Sequence, residues 1–419
     1  MTQPGERLYA GLSLDFWKFW SGQVISTFGS SFTMFALPLL VYQLTHSSVN
    51  LAISAVSDLL PYLLFGLVIG AWVDRTDRKR LMVLADLAFF ALTISIPLLY
   101  AVGHLSIIWI YVAGFLQTTT FIAFNSAEFA AVPSLVPSDD LVTANGRIQA
   151  SYQAATIVGP IIAGALAAIM PVVNLLYIDA ASYIVSALTL LAVRRSFNQA
   201  ETEAKSSSLR DDIVEGLRYV ISHPVLRNIS IMMAMVNFVS APAGYELVLF
   251  AKRQLGTTNA ELGVLFAANG AGVVLTGLLA GRLRKKWTFG QVALGALMIN
   301  GLLLVGFAFN RSVALGVVLW GLIGGVGILF NINTLSLRQA IVPNDMLGRI
   351  MSIAAVVAWS AIPLGTLIGG FAIRWTGNVA LVYAVMGALT FVIPVVFAFS
   401  PLGHAERYLP DKEEAEKAG

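Results

Sequence analysis

Long apolar runs follow one another along almost the whole chain and are separated by mostly short polar connections. A helix needs about 20 apolar residues to cross a bilayer, and the runs reach that length. The pattern therefore predicts an all-α membrane protein with twelve transmembrane helices. Their approximate bounds are 17–44, 50–73, 80–101, 106–131, 142–168, 172–193, 226–251, 260–281, 288–308, 313–337, 347–373 and 378–400.

One connection is long and polar, and it divides the predicted helices into two sets of six. Ser208 and Asp211 have the spacing of a helix start, and apolar residues then recur at helical spacing. These are Leu209, Ile213, Leu217 and Val220. We predict an amphipathic helix on the membrane surface; a linker without membrane contact is the alternative.

The predicted domains are a six-helix bundle at 1–193, this linker at 194–225, a second bundle at 226–400 and a tail at 401–419.

Composition excludes a soluble protein, and the motifs that are missing from the sequence indicate what kind of energy source drives it. Charged residues make up 12% of the 419 residues and hydrophobic residues 57%, about half the usual charged share of a soluble domain. The sequence has no glycine-rich phosphate loop of the nucleotide-driven kind, no cysteine, and four histidines without metal-ligand spacing. We therefore expect no enzyme activity, cofactor, metal site or nucleic-acid partner, and an ion or substrate gradient as the driving force.

Lysine and arginine indicate the orientation. With the N-terminus inside, 22 of the 26 basic residues fall on the inner side, and the others are Lys252, Arg253, Arg311 and Arg374. Cytoplasmic loops of membrane proteins are enriched in these residues. We expect a multi-pass protein of the cytoplasmic membrane with both termini in the cytoplasm.

The two sets of helices share an internal repeat. The segment "FNSAEFAAVPSLVPSDDL" from Phe124 and the segment "FNINTLSLRQAIVPNDML" from Phe330 coincide in Phe-Asn, Val-Pro, an aspartate and a leucine at an offset of 206. A Gly-Arg pair follows each segment. Six-helix halves that repeat in parallel are a transporter architecture.

The loop "GAWVDRTDRKR" then points to a family. It resembles the signature between helices 2 and 3 of the major facilitator superfamily, matching it at Gly70, Asp74, Arg75, Arg78 and Lys79. The resemblance covers essentially the whole chain. It implies that these residues form a cytoplasmic gate, with Asp74 near the start of helix 11. A carboxylate is favoured at the positive end of a helix. The alternative is that the loop only sets topology.

A second motif lies in predicted helix 5. The stretch "AATIVGPIIAG" resembles an exporter motif of the same superfamily at Gly159, Pro160 and Gly164. It favours export, although small residues also serve ordinary helix packing. The segments "LVPSDDLVTANGR" and "IVPNDMLGRIMS" are similar to the drug–proton antiporter branch that contains macrolide and enterobactin exporters.

These resemblances imply a function by alternating access. We expect a monomeric, proton-coupled exporter of lipophilic neutral or cationic compounds. The alternatives are a lysophospholipid or other lipid transporter or flippase of the same fold, a siderophore exporter, or an uncoupled importer or facilitator. The expected partners are a small lipophilic or amphipathic substrate, protons and the bilayer.

Acidic residues inside the predicted helices are the candidates for proton coupling, because burial raises the pKa of a carboxyl group. By their depth in helices 2 and 7, Asp58 and Glu246 can face the central cavity, as coupling or substrate residues. An ion pair with a basic residue just beyond it is the alternative role for Glu246. Glu128 is the next candidate, whereas Asp86 and Asp179 stand in helices that the resemblance places outside the cavity, where a structural role is expected.

Amide side chains at membrane depth can orient a substrate or tie helices together. They are Gln23, Gln117, Asn125, Gln153, Asn237, Asn269 and Asn331. Basic residues are missing from the middle of the predicted helices, and an anionic substrate would need a buried cation. We therefore expect neutral or cationic substrates.

The orientation can be tested with a single cysteine, because the chain has none of its own. We expect Ser206→Cys to resist an impermeant thiol reagent in intact cells and to react after the cells are opened, because the linker lies inside. Labelling in intact cells would contradict the predicted topology.

Overall fold

The computed structural model describes residues 12–73, 76–137, 140–197, 209–284, 287–342 and 347–408. Within these ranges the chain folds into helices and contains no strand. The α-helices are α1 (Leu14–Thr45), α2 (Ser48–Val73), α3 (Arg78–Ala101), α4 (Ile107–Leu135), α5 (Leu141–Leu166), α6 (Leu175–Ala192), α7 (Leu209–Ser222), α8 (Pro224–Tyr245), α9 (Leu247–Phe250), α10 (Asn259–Arg284), α11 (Phe289–Phe309), α12 (Val313–Ile341), α13 (Leu347–Thr376) and α14 (Val379–Ala398). The short 3₁₀ turns Val172–Asn174 and Pro401–Tyr408 precede α6 and follow α14.

Eleven of the described helices are long and apolar enough to cross a membrane. They match eleven of the twelve predicted spans. The remaining one, α5, has 26 residues, but its first half carries several polar and charged side chains, Asn145, Arg147 and Gln149 among them.

The predicted helix over 226–251 is present with one departure from regular α-helical geometry, at Glu246. The helix α8 ends at Tyr245, Glu246 leaves helical geometry with φ −89° and ψ 4°, and α9 begins at Leu247. Pro242 lies one turn before the break and cannot donate a backbone hydrogen bond. A π-helical turn, Ala251–Leu255, then leads to Gly256 in the left-handed region with φ 65°. Glu246 therefore lies between the end of α8 and the start of α9.

The chain divides into two compact units by its contacts. The first unit comprises residues 1–37 and 57–203, and the second comprises residues 38–56 and 204–419. The end of α1 and the start of α2 therefore belong with the second unit. The predicted bundle boundaries at 193 and 226 stay a prediction.

Corresponding helices pack in the same way within each unit. The helix α3 packs on α4 and α6 in the first unit, and α11 packs on α12 and α14 in the second. Gly159 of α5 lies against Ser31 of α1, while Gly365 of α13 lies against the backbone of Phe238 in α8. The two glycines are 206 residues apart, which is the offset of the sequence repeat. The repeat therefore includes the close helix contacts at Gly159 and Gly365 as well as the sequence motifs.

The predicted amphipathic helix is present as α7. Its Val220 is buried with Leu226, Val342 and Ile350, so α7 packs against α8 and α13 within the second unit. Leu217, on the same predicted apolar face, is 41% exposed. This exposed apolar side chain remains available to a membrane surface.

Gly159 and Gly146 give a matched test of close helix packing, because both lie in α5. A Cβ added at Gly159 would collide with the side chain of Ser31, including its Cβ atom, whereas a Cβ at Gly146 would meet no atom within 4 Å. We expect Gly159→Ala to cost about 1–3 kcal/mol through overpacking. Gly146→Ala should be neutral or stabilise by up to about 1 kcal/mol through helix propensity.

Thermal unfolding of the purified protein in detergent measures both changes. Equal melting temperatures of the two variants would contradict the proposed role of Gly159 in packing α1 against α5.

Candidate functional site

Glu246 is the most completely buried of the three predicted coupling candidates. Its side chain is 0% exposed, and neither carboxyl oxygen has a hydrogen-bond partner among the described residues. The buried phenol of Tyr383 lies nearby, but it donates its hydrogen bond to the carbonyl oxygen of Ala243 at 2.6 Å. The ring of Phe250 packs against the Tyr383 ring at a tilt of 30°, with centroids 4.5 Å apart. The carboxyl group is thus enclosed by groups that do not solvate it.

The predicted alternative, an ion pair of Glu246 with a nearby basic residue, is absent from the described structure. Lys252 donates to the carbonyl oxygen of Thr257 at 2.8 Å and to the side chain of Asn259 at 2.9 Å. Arg253 donates to the carbonyl oxygen of His46 at 2.7 Å. Among described residues, ion pairs within 4.0 Å join Lys18 to Asp15 and Arg80 to Asp77, and neither involves Glu246.

Glu246 borders a tight contact within the second unit. The Ser48 hydroxyl at the start of α2 donates to the carbonyl oxygen of Gly370 in α13 at 2.7 Å. A Cβ added at Gly370 would lie 2.7 Å from the Ala52 Cβ and 3.2 Å from a carboxyl oxygen of Glu246. We call Ser48, Ala52, Gly370 and Glu246 the Gly370 contact. The absence of a side chain at Gly370 lets α2, α13 and the carboxyl group meet.

Asp58 lies within the first unit, in α2. It is half-buried, and its carboxyl group lies directly against Gly114 of α4, where any side chain would collide with it. The Asp58 carboxyl group therefore occupies space that is free because residue 114 is a glycine. Asp58 is less enclosed than Glu246.

The other three intramembrane acids also lie in the first unit, and they differ in their surroundings. Glu128 of α4 is half-buried. Asp86 of α3 is 1% exposed and Asp179 of α6 is 0% exposed. Asp179 accepts hydrogen bonds from the hydroxyl groups of Thr33 and Ser182. The Thr33 bond joins α1 to α6 and supports the expected structural role of Asp179.

Three of the seven predicted amides tie helices together through hydrogen bonds. Gln23 donates to the Ser186 hydroxyl at 3.3 Å, Gln117 to the Thr93 hydroxyl at 2.9 Å, and Asn237 to the Ala358 carbonyl oxygen at 2.8 Å. The Asn269 amide packs where α12 has Gly324. Asn125 and Asn331 are exposed, and Gln153 is half-buried. The helix-tying role therefore accounts for Gln23, Gln117 and Asn237.

The basic loop residues bind helix ends within the first unit. Arg78 donates to the carbonyl oxygens of Ala130 and Phe197, each at 3.2 Å. Lys79 donates to the carbonyl oxygens of Leu191 at 3.3 Å and Val193 at 2.6 Å. Cations are favoured at the C-terminal ends of helices, so this loop fastens α3 to the ends of α4 and α6.

The remaining predicted motif residues are placed only in part. Asp74 and Arg75 lie outside the described residues, so their predicted gate contact stays a prediction. Gly70 lies in α2. In the exporter motif, Gly159 makes the close approach to α1, and Pro160 and Gly164 are buried in α5.

The sequence reasoning missed Ser48 and Gly370 as neighbours of Glu246. Serine at a helix start and glycine in a membrane helix are both common, so neither stood out. The adjacent pair Gly369-Gly370 inside a predicted helix was the available signal, because paired glycines in a membrane helix indicate a close approach.

Similar proteins place this chain in a family. A family model described as "Transmembrane secretion effector" matches residues 9–417. Macrolide efflux protein A of Streptococcus pyogenes is 23% identical over 369 residues, which are 86% of this chain and 89% of that protein. The multidrug efflux pump Tap of Mycolicibacterium fortuitum is 26% identical over 351 residues, which are 82% and 85% of the two chains.

The fold is shared with a solved transporter structure. The crystal structure of a bacterial homolog to the human lysosomal transporter Spinster superposes with a TM-score of 0.72, at 15% identity, over 94% of this chain and 97% of that one. This likeness confirms the predicted all-α membrane fold. The chain therefore belongs to the transmembrane secretion effector family of the major facilitator superfamily, and it is a multi-pass membrane transporter.

Proposed function

We propose that this protein is a proton-coupled exporter of small lipophilic compounds, neutral or cationic, that works by alternating access. In this proposal it acts as a monomer in the cytoplasmic membrane, with both termini in the cytoplasm. Two related proteins are named as macrolide and multidrug efflux proteins, which supports export. The 22 basic residues on the expected inner side support the orientation.

The complete burial of Glu246 without a partner is the observation that carries the proton coupling. An ionised carboxylate in a protein interior costs several kcal/mol, even after the surroundings relax. A bound proton removes the charge and most of that cost. The Gly370 contact therefore suits the neutral form of Glu246, and loss of the proton would place a bare charge inside it.

Proton binding would in this way be linked to conformation. With the proton bound, Glu246 is compatible with the packing of Ser48 and Ala52 on Gly370. With the proton lost, the charge is stabilised only if water reaches it, which requires this contact to loosen. A ligand shifts a conformational equilibrium by its differential affinity for the two states, and here the ligand is a proton.

The distribution of cations supports neutral or cationic substrates. Arg338 is buried, but it lies in the last turn of α12 and contacts the sulfur atom of Met233 at 3.2 Å. An anionic group bound at mid-membrane would need a cation closer to it.

Transport by the purified protein in proteoliposomes tests the function. A lipophilic cation such as tetraphenylphosphonium, and a macrolide, serve as probes, each with and without an imposed pH gradient. We expect the gradient to drive both probes uphill. Equal transport with and without the gradient would contradict proton coupling. A lysophospholipid is assayed as a third probe, and its transport without transport of the other two would favour the lipid-transporter alternative.

Removing a coupling carboxyl should separate uphill from downhill transport. We expect Glu246→Gln to abolish pH-driven uphill transport and to keep downhill exchange and thermal stability, because glutamine mimics the protonated acid. Asp58→Asn tests the second candidate in the same two assays. If both variants pump uphill at the wild-type rate, the coupling proton binds elsewhere.

Glu261 provides the matched control. Its exposed carboxylate caps the start of α10 by accepting hydrogen bonds from the backbone and the hydroxyl of Thr258, at 2.8 and 2.9 Å. Glu261→Gln keeps an oxygen for this cap, so we expect uphill transport at the wild-type rate.

A further inference from the structure

Arg338 is a buried cation whose charge no side chain of the described structure balances. It is 5% exposed, and its hydrogen-bond partner among the described residues is the sulfur atom of Met233 in α8, 3.2 Å from Nη2. A thioether is a weak acceptor, whereas a guanidinium carries five N–H donors. No ion pair within 4.0 Å joins Arg338 to a described carboxylate.

The surroundings of Arg338 are apolar. Leu337 and Ile341 of α12 lie in one cluster with Ile229 and Met233 of α8. A buried carboxyl group can remove its charge by binding a proton, but a guanidinium stays charged at any physiological pH. Because an unpaired charge in a protein interior is costly, Arg338 needs an anion, and the described side chains do not supply one.

The sequence repeat shows that packing alone does not require an arginine at this position. At the offset of 206, Arg338 corresponds to Val132 of α4. Val132 is 3% exposed and belongs to the apolar cluster of the first unit. Corresponding places are thus filled by an apolar side chain in one unit and by a charged one in the other. The arginine therefore indicates a binding role that the first unit lacks.

The depth of Arg338 indicates where its anion comes from. The helix α12 has 29 residues and is about 43 Å long at 1.5 Å per residue, whereas the hydrocarbon core of a bilayer is about 30 Å thick. Arg338 lies in the last turn of α12, on the side expected to face the cytoplasm. The end of a helix of this length reaches the level of the lipid headgroups.

We propose that Arg338 binds the phosphate group of a phospholipid in the inner leaflet. Basic sites between transmembrane helices on the cytoplasmic side bind lipid headgroups, and a planar guanidinium can donate to two phosphate oxygens at once. The long side chain can turn its charged end towards the headgroups, because the contact to Met233 that it gives up is weak. The bound lipid neutralises the arginine and stabilises the protein.

This lipid site depends neither on proton coupling nor on the identity of the transported substrate. The competing anion is a carboxylate of the chain itself. The sequence has Asp345 shortly after Arg338, and it lies outside the described residues. If Asp345 were the partner, the arginine would be neutralised without any lipid.

Thermal unfolding of the delipidated protein in detergent separates these cases. Dioleoylphosphatidylglycerol is the probe, and dioleoylglycerol, which has the same chains and no phosphate, is the control lipid. We expect the phospholipid, but not the control lipid, to raise the melting temperature of the wild type. Without lipid, Arg338→Met should melt at the wild-type temperature or above, because an apolar side chain replaces an unpaired charge, and phosphatidylglycerol should add little to it.

Native mass spectrometry measures the lipid affinity of the same variants. We expect Arg338→Met to bind phosphatidylglycerol about 10- to 100-fold more weakly, the range for a lost charge-assisted hydrogen bond. Arg338→Lys keeps the charge but not the planar fork and should fall in between. Arg218→Gln is the matched control for general attraction to anionic lipid, because Arg218 is exposed in α7, and it should bind as the wild type does.

Several results would overturn the lipid site. One is a wild-type melting temperature that phosphatidylglycerol leaves unchanged, and another is a shift that persists in full in Arg338→Met. An equal shift with inorganic phosphate would assign the site to a free anion. Loss of lipid-free stability in both Arg338→Met and Asp345→Asn would identify the chain's own carboxylate as the partner.

Discussion

A carboxyl group buried in a membrane protein must find a cation, hydrogen-bond donors or a proton, because lipid offers none of the solvation that water gives. This chain shows all three situations. Asp15 at the start of α1 is only half-buried, and it pairs with Lys18 at 3.1 Å. Asp179 accepts hydrogen bonds from two hydroxyl groups. Glu246 has neither kind of partner among the described residues, and the proton is the remaining means of removing its charge.

The close packing of helices creates these enclosed positions. In lipid, helices associate through van der Waals contact and hydrogen bonds, so small residues mark the closest approaches. Gly159 and Gly365 bring corresponding helix pairs together in the two units, and Gly370 admits both Ala52 and the Glu246 carboxyl group. The missing side chain at Gly370 therefore determines where the carboxyl group of Glu246 is enclosed. An acid at a looser contact would keep access to water.

Much of the fold could be predicted from the sequence because lipid imposes a simple rule. Long apolar runs must be helices, and eleven predicted spans are present as helices of sufficient length and apolarity. The departure from helical geometry at Glu246 was not predicted, because hydropathy does not register the dihedral angles of a single residue within an apolar run. Pro242 was a visible warning, but proline is tolerated in membrane helices.

The site was less predictable than the fold. The sequence identified Glu246 and Asp58 by their depth, but it could not show that Lys252 and Arg253 bind backbone and amide oxygens rather than Glu246. It also grouped Asp86 with Asp179, because both lie in helices expected outside the cavity. Their difference depends on which hydroxyl groups face each acid, and that depends on side-chain geometry across helices.

In the proposed mechanism, proton binding at Glu246 and substrate binding are linked through the conformation of the transporter. If so, binding of one must change the affinity for the other by the same factor, and substrate binding must displace protons from the purified protein. Calorimetric titration with tetraphenylphosphonium, in two buffers of equal pH and different ionisation enthalpies, counts the protons exchanged. We expect net release of about one proton or more per bound cation by this linkage. Binding heats that are identical in the two buffers would mean that no proton is exchanged, and they would contradict this linkage.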